Sequence, residues 1–115
     1  MMQGVLLVDD DKNFRRSLAV NLEMLGYQVY EAKNGMEALQ FLKDNQENDD
    51  KVSGVIVDAR MPGLDGFWLT DQLLASYPEL RVIILSAYPC PSKSDRYTFL
   101  TKPVKIEKLT QVLNQ

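Results

Sequence analysis

The chain has 115 residues and a net charge of −3 at pH 7, with 45% hydrophobic and 25% charged residues. These values predict one globular domain with a single core, and the acidic balance argues against direct nucleic-acid binding. Because the chain contains no histidine, Ser-His or Cys-His catalysis and His-ligated zinc are excluded.

No segment reads as a signal peptide or a membrane anchor. The first apolar run, residues 4 to 8, leads directly into three aspartates, and no stretch approaches the roughly 20 apolar residues of a membrane span. The single Cys90 cannot form an internal disulfide, which fits a reducing compartment. We therefore expect a cytoplasmic protein that makes no membrane contact.

A short apolar strand and an amphipathic helix open the chain. Residues 4 to 8 are interpreted as the strand, and residues 12 to 25 as the helix. The inner face of this helix is predicted to comprise Phe14, Leu18, Leu22 and Leu25. Asp11 is a candidate N-cap, and Gly26 is a candidate C-terminal stop.

A second strand and helix follow. Residues 27 to 32 alternate in polarity and are predicted to form an outer strand. Asn34 can cap the next helix, and Glu37 completes a capping-box pattern before the helix ends near Asp44. Its inward positions are Ala38, Leu39 and Leu42. Residues 45 to 53 are polar and acidic, and we expect a solvated loop without core residues.

The stretch GVIVDARMPGLDG, residues 54 to 66, carries the strongest chemical signal. Its apolar run ends at the carboxylate of Asp58, and a turn with Pro62, Gly63 and Gly66 follows. A carboxylate at the end of a buried strand is unfavourable unless it is paired or used. Since ligands bind beyond the strand ends of open α/β sheets, Asp58 is a candidate for chemistry.

The third helix is predicted from residue 66 to 77, where Pro78 stops it. Its inner face comprises Leu69, Leu73 and Tyr77. Trp68 falls on the opposite face, where it either covers a loop or contacts a partner.

Two more strands and a helix complete the chain. Residues 81 to 85 and 98 to 101 are the predicted strands, separated by residues 87 to 97, whose prolines and polar residues make a poor helix. The last helix starts near Lys105, and its inward residues are Ile106, Leu109 and Leu113.

The alternation of strands and helices predicts a flavodoxin-like, doubly wound α/β fold. Its five-stranded parallel sheet would have the strand order 2-1-3-4-5, with strands 1 and 3 adjacent at the switch point. Asp9, Asp10 and Asp58 would then meet, and their mutual repulsion points to a hard cation such as Mg²⁺. Ser86 and Lys102 end the next two strands, so the edge carries a set of groups suited to phosphoryl chemistry.

Four motifs at these strand ends resemble the receiver domain of two-component response regulators, the CheY-like family. They are VDDD at 8 to 11, VDARMPGLDG at 57 to 66, LSA at 85 to 87 and LTKP at 100 to 103. The resemblance implies that Asp58 accepts a phosphoryl group. It also implies that Asp10, Asp58 and the backbone carbonyl of Arg60 bind Mg²⁺ directly, while Asp9 helps through water.

The resemblance assigns roles to the remaining strand ends as well. Ser86 takes the place of the hydroxyl that contacts the phosphoryl group, and Lys102 pairs with the phosphoryl oxygens. Pro103 would follow a cis peptide bond, and Phe99 would be the switch aromatic. Only 16 positions separate Ser86 from Lys102, by subtraction of their numbers, so we expect the fourth helix of the family to be shortened or missing.

The leading interpretation is a one-domain phosphoacceptor, residues 1 to 115, that takes its phosphoryl group from a histidine kinase or phosphotransfer protein and switches a protein-interaction surface. A downstream effector domain or a homodimer could read that surface. We expect self-catalysed phosphorylation and autodephosphorylation rather than an enzyme with turnover. One alternative is a constitutive binding module that no longer switches. Another is an aspartyl phosphatase, which is disfavoured because Arg60 occupies the place of its second aspartate.

Overall fold

The computed structural model describes residues 3–45, 52–61, 64–87 and 96–114. Within these ranges lie seven strands and four helices: β1 (Gly4–Val8), α1 (Lys12–Met24), β2 (Gln28–Ala32), α2 (Gly35–Asn45), β3 (Val52–Asp58), β4 (Arg60–Met61), β5 (Leu64–Asp65), α3 (Gly66–Ser76), β6 (Arg81–Ser86), β7 (Thr98–Thr101) and α4 (Ile106–Leu113). Among the helices described, none has the length and apolar character that a bilayer crossing demands.

Five strands form one parallel sheet in the order β2-β1-β3-β6-β7. The first strand lies between its two neighbours, with Val5 opposite Val29 on one side and Gly54 on the other. The two-residue strands β4 and β5 pair with each other in antiparallel fashion. Because β6 and β7 are the fourth and fifth strands of the sheet, the predicted flavodoxin-like order is confirmed.

Helices cover both faces of the sheet, which explains why its central strands are apolar throughout. Alternate residues of β1 point to opposite faces, since side chains alternate along a strand. Leu6 and Val8 join one core with α2 and α3, whereas Val5 and Leu7 join the other core with α1 and α4. The strand ends that carry the polar residues are therefore held between two packed layers of helices.

The predicted helix starts and the first helix stop agree with the structure. The Asp11 carboxylate accepts a hydrogen bond from the Phe14 amide, and Gly26 adopts a φ of 96° after α1. The Asn34 side chain accepts from the Glu37 amide at 2.9 Å. The Glu37 carboxylate reaches back to the amide of Lys33 at 3.0 Å, one residue before the position that a capping box predicts.

The predicted inner face of α1 is wrong at its last residue. Leu25 is 56% exposed, because the helix ends at Met24 and Leu25 caps it outside the packed face. The buried positions of α1 are Ala19 and Leu22.

Trp68 lies on the outer face of α3, as predicted, and its side chain is 45% exposed.

The expectation that residues 45 to 53 lack core residues is wrong at Val52. This side chain is 2% exposed, and β3 begins there, two residues before the predicted start of the strand. The reason is tertiary, because Val52 pairs with Gly4 of β1 through an irregular register. The pairing then skips Ser53, whose hydroxyl donates to the Gly4 carbonyl at 3.3 Å.

Some predictions concern residues that the structure does not describe. The shortened fourth helix and Cys90 fall on residues 88–95, and Pro62 and Gly63 follow β4; all lie outside the described residues. On either side of residues 88–95, β6 ends at Ser86 and β7 begins at Thr98.

Gly66 begins α3 directly against the end of β3, which leads to a stability prediction. A Cβ here would lie 2.5 Å from the Asp58 carbonyl oxygen, whereas a Cβ at Gly54 would meet the Leu113 Cδ2 at 2.7 Å. Backbone cannot move aside as a side chain can. We expect Gly66→Ala to lower the free energy of unfolding by about 1–3 kcal/mol, and Gly54→Ala by less, in urea unfolding. Equal losses would contradict this reasoning.

Candidate functional site

Three carboxylates meet where β1 and β3 end side by side. Val8 pairs with Val57, so the residues that follow them, Asp9 and Asp58, emerge next to each other. Ligand oxygens of Asp9, Asp10 and Asp58 all lie within 4.8 Å of one another. Asp9 is buried, Asp58 half-buried and Asp10 exposed, so the group is open to solvent on one side. The predicted convergence of these three residues is observed.

The buried Asp9 is held by the backbone on several sides. Its amide donates to the Ala32 carbonyl at 3.1 Å, and its Oδ1 accepts from the Asp11 amide at 2.9 Å. Burial raises the pKa of Asp9, and the negative charges of Asp58 and Asp10 act in the same direction. Three carboxylates this close repel one another, so a bound cation would stabilise the group.

Lys102, which directly follows the edge strand β7, places a positive charge beside this group. Its Nζ lies 3.6 Å from Asp58 Oδ1 and 3.8 Å from Asp9 Oδ2, and its side chain is 25% exposed. Its amide donates to the Ser86 carbonyl at 2.6 Å, which fixes the end of β7 against β6. The peptide bond to Pro103 is cis, as the resemblance implies.

Ser86 ends the strand beside β3, and Arg60 lies two residues after Asp58. Ser86 is buried at the end of β6, one residue beyond Leu85, which pairs with Asp58. The Ala59 amide donates to the Leu85 carbonyl at 2.8 Å and holds the chain beside β6 after Asp58. The backbone of Arg60 pairs with that of Asp65 in the β4–β5 ribbon. The metal-binding role of the Arg60 carbonyl stays a prediction.

Phe99 lies half-buried on β7 within a group of three aromatic rings. Its ring stacks on Phe67 with centroids 6.1 Å and planes 15° apart, and Tyr97 meets Phe67 edge-on at 6.0 Å. These rings connect β7 to the start of α3. Sequence reasoning did not single out Phe67; the one available signal is an aromatic residue directly after Gly66. The switch role of Phe99 stays a prediction.

Arg15 is a site residue that sequence reasoning missed. Its guanidinium donates to the main-chain carbonyl of Asp9 and to Glu31 Oε1, the latter at 2.9 Å. Burial acts to raise the pKa of Glu31, but hydrogen bonds from Arg16 and Arg15 outweigh it and hold the pKa below its ordinary value. Arg15 therefore ties the strand end that carries Asp9 to β2. Because the contact joins a helix to a strand, no residue spacing indicates it.

The burial of Asp9 leads to a prediction about stability and pH. Because the folded-state pKa of Asp9 is raised, its ionised form destabilises the metal-free fold at neutral pH. We expect Asp9→Asn to raise the free energy of unfolding by about 1 kcal/mol at pH 7. The measurement is thermal unfolding in EDTA.

The same physical reason fixes how this gain depends on pH. As the pH falls through the raised pKa, the Asp9 carboxyl becomes neutral in the folded protein, and its destabilising effect disappears. The advantage of Asp9→Asn over the unmodified chain should therefore shrink toward acid pH. A variant that is less stable at pH 7, or whose advantage grows on acidification, would contradict the charge argument.

Comparison with known proteins bears directly on this arrangement. Residues 5–114 match the family described as response regulator receiver domain. The transcriptional regulatory protein GlrR of Escherichia coli (strain K12) is 35% identical over 116 residues, a match that covers 96% of this chain and 25% of GlrR. The chain therefore corresponds to about a quarter of that longer relative.

Solved structures agree with this assignment. The chemotaxis protein CheY4 of Vibrio cholerae has a TM-score of 0.85 at 26% identity, and the match covers 99% of this chain and 98% of CheY4. The response regulator protein TrrA of Thermotoga maritima, in complex with Mg²⁺-BeF, has a TM-score of 0.78 at 26% identity, over 96% of this chain and 99% of TrrA. The family match across the chain and these similarities show that this protein belongs to the response regulator receiver domains of two-component signalling.

Proposed function

We propose that the chain acts as a phosphoacceptor, with the carboxylate of Asp58 as the group that takes the phosphoryl. The observation that carries this proposal is the position of Asp58 between two other carboxylates and the Lys102 ammonium, whose Nζ lies 3.6 Å away. Asp58 is only half-buried, so a phosphoryl donor can approach it. Membership of the receiver family supports the same role.

The carboxylate group has the chemistry of a Mg²⁺ site. Its donors are hard carboxylate oxygens that lie within 4.8 Å of one another, and Asp10 faces solvent, where the ion can keep water ligands. We propose that Asp10, Asp58 and the Arg60 carbonyl hold Mg²⁺ directly, with Asp9 acting through water. When bound, Mg²⁺ supplies positive charge that offsets the negative charge on the transferring oxygens. The similar protein TrrA is described in complex with Mg²⁺-BeF.

The protein's own residues would divide the chemistry as follows. A carboxylate oxygen of Asp58 forms a bond to phosphorus while the bond from phosphorus to the donor breaks, and the donor leaves with that electron pair. Lys102 stays beside the phosphoryl oxygens and compensates their charge, and the Ser86 hydroxyl donates a hydrogen bond to one of them. Attack of water on the acyl phosphate restores the carboxylate and releases inorganic phosphate. The chain thus modifies itself and has no separate substrate to turn over.

The donor we propose is a histidine kinase or a phosphotransfer protein that docks against α1 and the loops beside Asp58. Val20 and Met24 leave apolar side chains exposed on this helix, which supports a protein contact there. Phosphorylation would change the interaction surface through the backbone hydrogen bond between Lys102 and Ser86, because a shift of either strand end moves the other. Phe99 on β7 would pass that shift to a surface read by an effector domain or a second copy.

The direct test is intact-mass analysis after incubation with acetyl phosphate. We expect one added phosphoryl group in the presence of Mg²⁺ and none in EDTA. Borohydride converts an aspartyl phosphate to homoserine, so peptide mapping should then locate the modification at Asp58. An unmodified mass in Mg²⁺, or a modification at another residue, would contradict the proposal. The unmodified mass would favour the alternative of a constitutive binding module.

A further inference from the structure

The ammonium of Lys102 has a third neighbour besides the two carboxylates. Its Nζ lies 4.4 Å from the centroid of the Phe14 ring, inside the range of about 6 Å for a cation–π contact. Its distances to Asp58 and Asp9, 3.6 and 3.8 Å, exceed the range of roughly 2.7–3.2 Å of a direct N–H···O hydrogen bond. The ring is therefore part of what sets the position of the ammonium.

Phe14 is itself anchored to the carboxylate group. It stands in the first turn of α1, and its amide donates to Asp11 Oδ1 at 3.1 Å. The Asp11 amide in turn donates to Asp9 Oδ1 at 2.9 Å, and Asp9 Oδ2 faces Lys102. These contacts link Asp9 through Asp11 and Phe14 to Lys102, whose ammonium in turn lies near Asp9. The backbone of Phe14, from which the ring extends, is thereby tied to the carboxylates.

We propose that Phe14 is a positioning residue whose ring, through a cation–π contact, sets where the Lys102 ammonium lies beside Asp9 and Asp58. Opposite charges this close attract strongly, so an unsupported ammonium would close onto a carboxylate. Held by the ring as well as by the two carboxylates, the ammonium stays beside Asp58, where it can meet an incoming phosphoryl oxygen. This consequence for phosphoryl transfer rests on the proposed function. The core packing that the sequence predicts for Phe14 is thus only one of its roles.

The position of the lysine can be tested without any phosphoryl transfer. Protons above an aromatic ring resonate upfield, so the ε-methylene protons of Lys102 should lie upfield of those of the other lysines in a ¹H–¹³C NMR spectrum. Lys102→Arg identifies the signal by its disappearance. We expect Phe14→Leu to return the signal to the ordinary lysine position, and Phe14→Trp to retain the upfield shift. An ordinary position in the unmodified protein would overturn the proposal.

The kinetic test uses the rate of phosphoryl uptake from acetyl phosphate in Mg²⁺. Because Phe14→Leu keeps an apolar side chain but loses the ring, we expect a rate about three- to thirtyfold lower, the range that a cation–π contact represents. Phe14→Trp should restore most of the rate. In a Lys102→Ala background, Phe14→Leu should have no further effect, since the residue acts through the lysine.

Val29 supplies the control, because it packs against the same core as Phe14 but lies on β2 opposite Val5. Val29→Ala should lower thermal stability while the uptake rate stays within about twofold, as expected for lost packing alone. An unchanged rate in Phe14→Leu, or an equal loss with and without Lys102, would overturn the positioning role. An unmodified protein that shows the upfield shift but takes up no phosphoryl group would contradict the proposed function and leave the Phe14–Lys102 contact supported.

Discussion

Replacing Asp58 with Asn is expected to abolish phosphoryl uptake in Mg²⁺ and acetyl phosphate. The amide has nearly the shape of the carboxylate but no ionised oxygen, so it cannot form the bond to phosphorus. The fold should persist, because the substitution removes one of three clustered like charges. Intact-mass analysis and thermal unfolding on the same samples measure the two effects separately.

Asp44→Asn is the control for this substitution. Asp44 is an exposed carboxylate on α2 whose hydrogen-bond partner is Gln40, and it lies outside the carboxylate group. We expect it to take up one phosphoryl group at the rate of the unmodified chain. Full uptake by Asp58→Asn would refute the assignment of the acceptor. A partner protein that binds Asp58→Asn and the phosphorylated chain equally well would instead indicate a module that does not switch.

Lys102→Ala is expected to slow phosphoryl uptake by about a hundredfold or more, the usual effect of removing one group that compensates transition-state charge. The lysine is the cation that the described residues place beside Asp58, with Nζ at 3.6 Å, and alanine leaves the oxygens without that charge. The rate constant is read from the time course of the mass change at fixed Mg²⁺ and donor concentrations.

Two further variants separate the effect of charge from that of geometry. Lys102→Arg keeps the charge but spreads it over a planar group, so its rate should fall between those of alanine and lysine. Lys108→Ala removes an exposed lysine from α4 and should leave the rate unchanged. If Lys102→Ala reacts within a few-fold of the unmodified chain, Lys102 has no part in stabilising the transferring group.

Much of the architecture follows from local patterns. Apolar runs bounded by turns located the central strands of the sheet, because a covered parallel sheet needs strands that are apolar on both faces, and alternating polarity located β2 as an outer strand. Asp11 and Asn34 located two helix starts, since their side chains satisfy amides that a helix leaves unpaired. Errors occurred at element ends. Leu25 lies past the end of α1, and Val52 extends β3, because packing against neighbours decides where an element stops.

For the site, chain order alone suffices to bring Asp9, Asp58, Ser86 and Lys102 to one edge, because parallel strands all end on the same side of their sheet. The number of residues between the motifs does not enter that argument. The sequence therefore specifies which chemical groups the edge carries, and with them the phosphoryl chemistry that the family membership supports.

Distances and contacts between these groups depend instead on how the helices lie on the sheet. The ring of Phe14 contacts the Lys102 ammonium, and Arg15 reaches the Asp9 carbonyl, only because α1 packs with its first turn beside the end of β1. Burial of Asp9, and with it the raised pKa, likewise requires neighbours from several elements. Such contacts join residues of different helices and strands, so periodicity and spacing do not indicate them, and they form only when the layers are packed.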